Sequence, residues 1–183
     1  MILRETELRG YIQSKRLLVE PFSEKILQYN GLDLRLGNQI ARLRPCCDIF
    51  DTHDQKIFDR YYTRESDSSF IIRPHEHFLA CTYEKLGLPN NLVGFVNLRS
   101  TCTRLGLFSP CGFVEAGFSG QLTVEIIGGS FPLKVYVGDR MFHIVFMVLT
   151  SETESIYKGK YQNQAGVTLP ILDSNHMFEC EVK

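Results

Sequence analysis

A chain of 183 residues is long enough to bury a core and short enough that one domain over residues 1–183 is the expected organisation. Its 20 Lys+Arg against 21 Asp+Glu leave a net charge of -1. That balance excludes a summed positive field able to track a nucleic-acid polymer, although a phosphorylated small molecule needs only a few local cations. Charges at Arg4, Glu5, Glu7 and Arg9, with no apolar run near the roughly 18 residues that a membrane span requires, point to a soluble, unexported, cytoplasmic protein with no membrane partner.

Thr6, Leu8, Tyr11 and Ile12 mark one face of a first short helix, and Ser23 caps a second that runs from Glu24 through Tyr29 and ends near Asn30-Gly31. The texture then changes. GLDLRLGNQIARL alternates apolar and polar residues as a half-buried strand does, and FIIRPHEHFLACTYEKL, NNLVGFVNLRS, GQLTVEII and FPLKVYVGDRMFHIVFMVL continue in that manner. Leu88-Pro89-Asn90-Asn91, Ser109-Pro110-Cys111-Gly112, Gly128-Gly129-Ser130 and Gly138-Asp139 separate the runs. Many short strands with no long helix for crossovers predict a mainly β sandwich or barrel. Residues 44–67, with Asp48, Asp51, Asp54, Asp59 and Asp67, read as an insertion or long hairpin. The last segment, YKGKYQNQAGVTLPIL, holds little apolar surface of its own. It is expected to be disordered or to be ordered by docking, with a bound ligand as one candidate.

The six cysteines, at 46, 47, 81, 102, 111 and 180, include no C-x-x-C and outline neither a zinc site nor a secreted scaffold. Reduced thiols used as small apolar residues are expected, with one or two intracellular disulfides as the alternative. His75 and His77, two apart, share a face if both lie in a strand. No third ligand stands at a telling spacing, so they read as surface histidines.

Two clusters carry chemistry. Arg99, Ser100, Thr101 and Arg104 follow the strand VGFVNL and gather guanidiniums and hydroxyls suited to phosphate or carboxylate oxygens. The competing reading pairs both arginines with surface acids. In the strand QLTVEII, Leu122, Val124 and Ile126 share one face, and Thr123, Glu125 and Ile127 share the other. Glu125 therefore sits among apolar neighbours as a candidate general base, or as a structural carboxylate satisfied by an arginine such as Arg104.

VNLRSTCTRLGL, EAGFSGQLTVEI, GGSFPLKVYVGDRMFHIVF and YKGKYQNQAGVTLP, with GLDLRLGNQIAR and LPNNLVGFVNLRS, follow one another as the corresponding blocks do in archaeal-type dCTP deaminases. The chain resembles this family of the dUTPase-like superfamily over nearly its whole length. The resemblance implies a distorted β-barrel or jelly roll with short N-terminal helices, assembled as a homotrimer with nucleotide sites between subunits. It also implies hydrolytic deamination of dCTP to dUTP and ammonia in pyrimidine deoxynucleotide metabolism. Glu125 matches the catalytic glutamate, and Ser100 and Arg104 match the residues that hold its water and orient it. Arg99, Ser100 and Thr101 belong to the segment that approaches the phosphates. Gly112 places its backbone near the base, and Glu115 stands where aspartate usually meets the deoxyribose 3′-hydroxyl. Phe118 matches an aromatic packed on the sugar, an ordinary core aromatic being the alternative. Lys160, Tyr161 and Gln164 match residues of a tail, 157–172, that closes over the triphosphate. The segment Ser109–Phe113, with Cys102 and Thr103, departs from the family pattern.

Zinc deaminases use an H-x-E with a P-C-x-x-C signature; neither occurs here, so no zinc is expected and water activation falls to a positioned carboxylate. Mg²⁺ is expected only with the nucleotide triphosphate. Two alternatives keep the same scaffold: a bifunctional dCTP deaminase/dUTPase giving dUMP and pyrophosphate, and a nucleotide-binding regulatory relative with little turnover.

Overall fold

In the computed structural model, which describes residues 1–45, 49–50 and 58–172, the chain opens with helix α1 (Glu5–Gln13). The Glu7 carboxylate accepts the Arg4 backbone N–H at 3.2 Å, which satisfies one of the free donors at the helix start. Leu8 is fully buried, and Tyr11 and Ile12, one turn on, pack against the core. Thr6, two positions from Leu8, points the other way and is exposed.

Strand β1 (Leu18–Glu20) leads to a single 3₁₀ turn at Glu24–Ile26, whose Ser23 hydroxyl accepts the Lys25 N–H. The expected helix to Tyr29 stops there. Leu27–Gln28 leaves as β2 and turns back onto β3 (Gly31–Leu43), with Leu27 opposite Leu32 and Gln28 opposite Gly31. After helix α2 (Phe58–Tyr61), strand β4 (Tyr62–Ser66) pairs antiparallel with β3 from Leu43↔Tyr62 to Gln39↔Ser66, the pairing that a hairpin rather than an insertion requires. Cys46, Cys47, Asp48, Asp51, Asp54 and Cys180, and the side chain of Asp59, lie outside the described residues.

The remaining elements are β5 (Ser69–Ile72), β6 (His77–Gly87), β7 (Leu92–Leu98), α3 (Ser100–Arg104), β8 (Gly112–Val114), β9 (Ser119–Ile127), β10 (Leu133–Tyr136) and β11 (Arg140–Val148). All strand pairs are antiparallel. A nine-stranded sheet runs β1-β6-β3-β11-β7-β8, with β9 also on β6 and β2 and β4 also on β3; β5 and β10 form a separate pair. β3 causes the curl of this half-barrel. Its first residues pair with β2 and β11 and its last with β4 and β6, so one strand serves two parts of the sheet. For that reason β3 is buried on both faces along most of its length, rather than half-buried as its alternation predicts. β9 alternates as expected, with Leu122, Val124 and Ile126 in the core beside Phe78, Phe142 and Phe146.

The C-terminal segment docks on the protein itself. Gly120 bridges Gln164 in parallel, and the Gly166, Val167 and Thr168 N–H groups donate to Gln121 Oε1, Gln39 Oε1 and Thr123 Oγ1. Val167 and Leu169 are buried with Ala41 and Cys81, so two residues supply the apolar contact that the segment's composition hid. Gly120 has φ +144°, and a Cβ there would stand 2.9 Å from Gln164 N, so the docking requires glycine at this position. No helix among the described residues is long and apolar enough to cross a membrane.

His75 and His77 do not share a strand face. His75 adopts φ +59° in the turn before β6, donating its N–H to Gly128 O and Gly129 O, and His77 begins the strand. The free thiols among the described residues are Cys81 (buried), Cys102 (half-buried) and Cys111 (exposed). Burial pushes the Cys81 and Cys102 thiols up, so both react slowly, whereas Cys111 meets solvent. Of these three, Cys111 is expected to be modified to completion first by a maleimide in the native protein, as read by peptide mass mapping; earlier modification of Cys102 would contradict the packing.

Candidate active site

The odd-numbered face of β9 borders a cleft of about 320 Å³, closed on one side by the C-terminal segment. Gly112, Glu115, Phe118, Glu125, Tyr161 and Gln164, all singled out from the sequence, line this one cleft. Each arrives there for a local reason. Gly112 lies in β8 opposite Val96, where a Cβ would meet Val96 Cγ1 at 2.9 Å, so glycine keeps the wall open. Glu115 heads a tight turn closed by Phe118 N–H donating to Glu115 O, with Gly117 in the left-handed region at φ +83°. Phe118 is a core residue, 5% exposed and 6.0 Å from the Tyr157 ring, and also part of the cleft wall. The Tyr161 hydroxyl accepts the Ile171 N–H, and the Gln164 carbonyl accepts the Gln121 N–H, so the docked segment holds both in place.

Glu125 is less enclosed than its apolar strand neighbours predict. Its side chain retains 44% exposure toward the cleft, and the side chain that meets it is not Arg104 but His77, whose Nε2 lies 2.6 Å from Glu125 Oε1. Nearby, burial, and then the negative charge of Glu125 and the Tyr161 hydroxyl, push the Tyr62 phenol above the ordinary tyrosine range.

The Arg99–Arg104 cluster does not line this cleft. Arg99 and Ser100 border a separate one of about 380 Å³ with Gln28, Tyr29, Asn30, Asp33 and His143. There the buried Asp33 carboxylate gathers Arg99 Nε at 2.8 Å, Arg140 at 3.5 Å and His143 Nδ1 at 2.9 Å. Arg99 thus pairs with an acid, as the competing reading held, but with a buried one that the sequence had not marked. Thr101 and Arg104 are exposed on α3, a helix that the strand-dominated pattern did not predict. Lys160 is exposed, its Nζ 5.6 Å from the Tyr161 ring centroid. The structure adds Asp33, which the sequence had not marked, and gives Glu125 as the partner of His77, which reads from the sequence only as a surface histidine. Neither role carried a local signal: the approach of His77 is set by the β6–β9 register, and Asp33 reads as an ordinary polar residue of an alternating strand.

Residues 2–149 match the model of the dCTP deaminase-like family. The chain belongs to that family. Among its dCTP deaminase-like relatives, it is 43% identical over 170 residues to a dCTP deaminase of Acidianus ambivalens, covering 93% of this chain and 97% of that one. It is 41% identical over 169 residues to a probable deoxyuridine 5′-triphosphate nucleotidohydrolase of Sulfolobus islandicus rod-shaped virus 1, covering 92% and 98%. The fold is similar to that of the 2′-deoxycytidine 5′-triphosphate deaminase of Agrobacterium tumefaciens, with a TM-score of 0.64 and 24% identity over 79% of this chain and 46% of that one. The chain spans under half the length of that solved protein.

Proposed function

We propose that this chain is a cytoplasmic enzyme that hydrolyses dCTP to dUTP and ammonia. The observation that carries the reading is Glu125, a carboxylate open to a cleft whose walls also present Gly112, Glu115, Phe118, Tyr161 and Gln164. The name dCTP deaminase, borne by relatives at 43% and 42% identity, supports the substrate. Glu125 takes a proton from water, and the resulting hydroxide adds to C4 of the cytosine ring. The protonated glutamate passes that proton to the exocyclic amino nitrogen, the C4–amino bond breaks to release ammonia, and the C4 hydroxyl proton moves to N3 to leave the C4 carbonyl of uracil. Glu115 faces the sugar hydroxyl and the Phe118 ring packs on the deoxyribose, while Lys160, Tyr161 and Gln164 on segment 157–172 close over the triphosphate. Mg²⁺ would accompany the triphosphate and offset its charge; the cleft's two carboxylates, Glu115 and Glu125, are fewer than a dedicated protein cage supplies.

Ser100 and Arg104 stand outside the cleft that holds Glu125, and Arg99 and Thr101 stand with them. We read the two groups as halves of one site completed between copies in a homotrimer, in which Ser100 and Arg104 of one subunit hold water at Glu125 of the next, and Arg99 and Thr101 approach the phosphates.

The test is incubation of purified protein with dCTP and Mg²⁺ while ammonia, dUTP, dUMP and pyrophosphate are followed together. Ammonia with dUTP is expected; bound but unchanged dCTP would sink the enzymatic reading. Pyrophosphate with dUMP would favour the bifunctional reading, for which the viral relative's name speaks. A preparation co-expressing Glu125→Gln and Arg104→Ala subunits is expected to regain turnover that neither variant has alone. No recovery would remove the shared site.

A further inference from the structure

His77 opens β6 and lies on the diagonal of the β6–β9 ladder. Leu79 is directly opposite Glu125, His77 is opposite Ile127, and the side chains of His77 and Glu125 project from the same face of the sheet. On that diagonal, His77 Nε2 approaches Glu125 Oε1 to 2.6 Å. Part of the imidazole stays open, at 36% exposure of the side chain, yet Nε2 itself is shut off from water and has no aligned hydrogen-bond partner among the described residues. The contact is therefore a close, bent approach rather than a straight hydrogen bond. A nitrogen and an oxygen this close attract one another only where the nitrogen carries the hydrogen, so Nε2 presents its N–H toward Oε1 off the straight line.

A glutamate on a half-open strand face samples several rotamers, and a general base works only from the one that meets its water. Arg104, the residue expected to hold it, does not line the cleft within this chain. His77 is in place and does not line the cleft either, so the imidazole meets Oε1 of the cleft-lining carboxylate from outside the cleft wall. We propose that His77 is a positioning residue for Glu125, pinning Oε1 so that Oε2 is presented to the water that attacks the ring. The proposal rests on the reading of Glu125 as the base.

Steady-state deamination by the full chain and by His77→Phe, His77→Asn and His77→Gln, with a melting temperature for each, tests it. Glutamine carries its amide nitrogen about where Nε2 stands, whereas asparagine reaches only the Nδ1 position. The Phe and Asn variants are expected to lose about tenfold in kcat, with KM for dCTP changed by less than about twofold. The Gln variant regains most of that loss, and the four melting temperatures stay together. Unchanged kcat in His77→Phe, equal losses in the Gln and Asn variants, or a loss carried by KM overturns the positioning role. The Gln–Asn comparison stands even if the Phe variant fails to fold. Glu125→Gln separates the two readings. If it is inactive while His77→Phe is fully active, Glu125 remains the base and only the role of His77 falls; if it turns over dCTP normally, both fall.

Discussion

Glu125→Gln is expected to lower the rate of ammonia release by about 10²–10⁴-fold, the usual worth of a general base, while dCTP still binds. The substitution is nearly isosteric, so the backbone of β9, with Leu122, Val124 and Ile126 fixed in the core, has no reason to move. What is lost is the ability to accept a proton from water, which belongs to the transition state rather than to the bound substrate, so the effect falls on kcat and not on KM. Retained turnover would remove Glu125 from the mechanism. A loss confined to KM would make it a binding group.

The second large effect is on stability. The Glu84 side chain is fully buried, its Oε1 2.5 Å from Arg35 Nε and its Oε2 accepting the Arg35 N–H at 2.8 Å. The same corner is tied together by the Thr82 hydroxyl, which donates to Glu84 O at 2.8 Å and accepts the Leu122 N–H at 2.9 Å. Glu84→Ala strands a guanidinium whose remaining contacts are Pro21 O at 3.3 Å and the face of the Tyr83 ring. Breaking a buried pair from one side costs about 3–5 kcal/mol. Because Arg35 is 24% exposed, the low end is expected, about 3 kcal/mol, or a fall in melting temperature of about 6–12 °C. Glu84→Gln keeps an acceptor for the Arg35 N–H and loses less. A shift under about 2 °C would mean that water or Tyr83 replaces the carboxylate at little cost.

Patterns that depend on one strand and its own two faces were legible in the sequence, and patterns that depend on neighbours were not. β9 reads correctly because one side is core and the other borders the cleft. β3 misled because four strands meet it, and Asp33, which looks like the outward polar residue of an alternating strand, is buried to hold Arg99, Arg140 and His143. The cleft residues Gly112, Glu115, Phe118, Tyr161 and Gln164 could be assembled with Glu125 from the order of the family's blocks, before any geometry. His77 could not. Its approach to Glu125 is a diagonal set by the register of two strands far apart in the chain, and no local periodicity encodes it. The segment's docking was legible only as the alternative to disorder, because its averaged polarity hides an attachment that rests on Val167, Leu169 and side-chain acceptors on β3 and β9.

β6 also shifts register against both of its long neighbours, between Leu36 and Ile40 on β3 and between Cys81 and Lys85 along its own length against β9. In an uninterrupted ladder, a one-residue slip of β9 would carry Glu125 into the core and put Val124 and Ile126 in the cleft. Here each neighbour is keyed to β6 at two separate stretches, so sliding one stretch into a new alignment misaligns the other. The irregularity works as a vernier: it lets only one alignment satisfy both scales, and the outward bearing of the carboxylate is written into a strand that does not carry it.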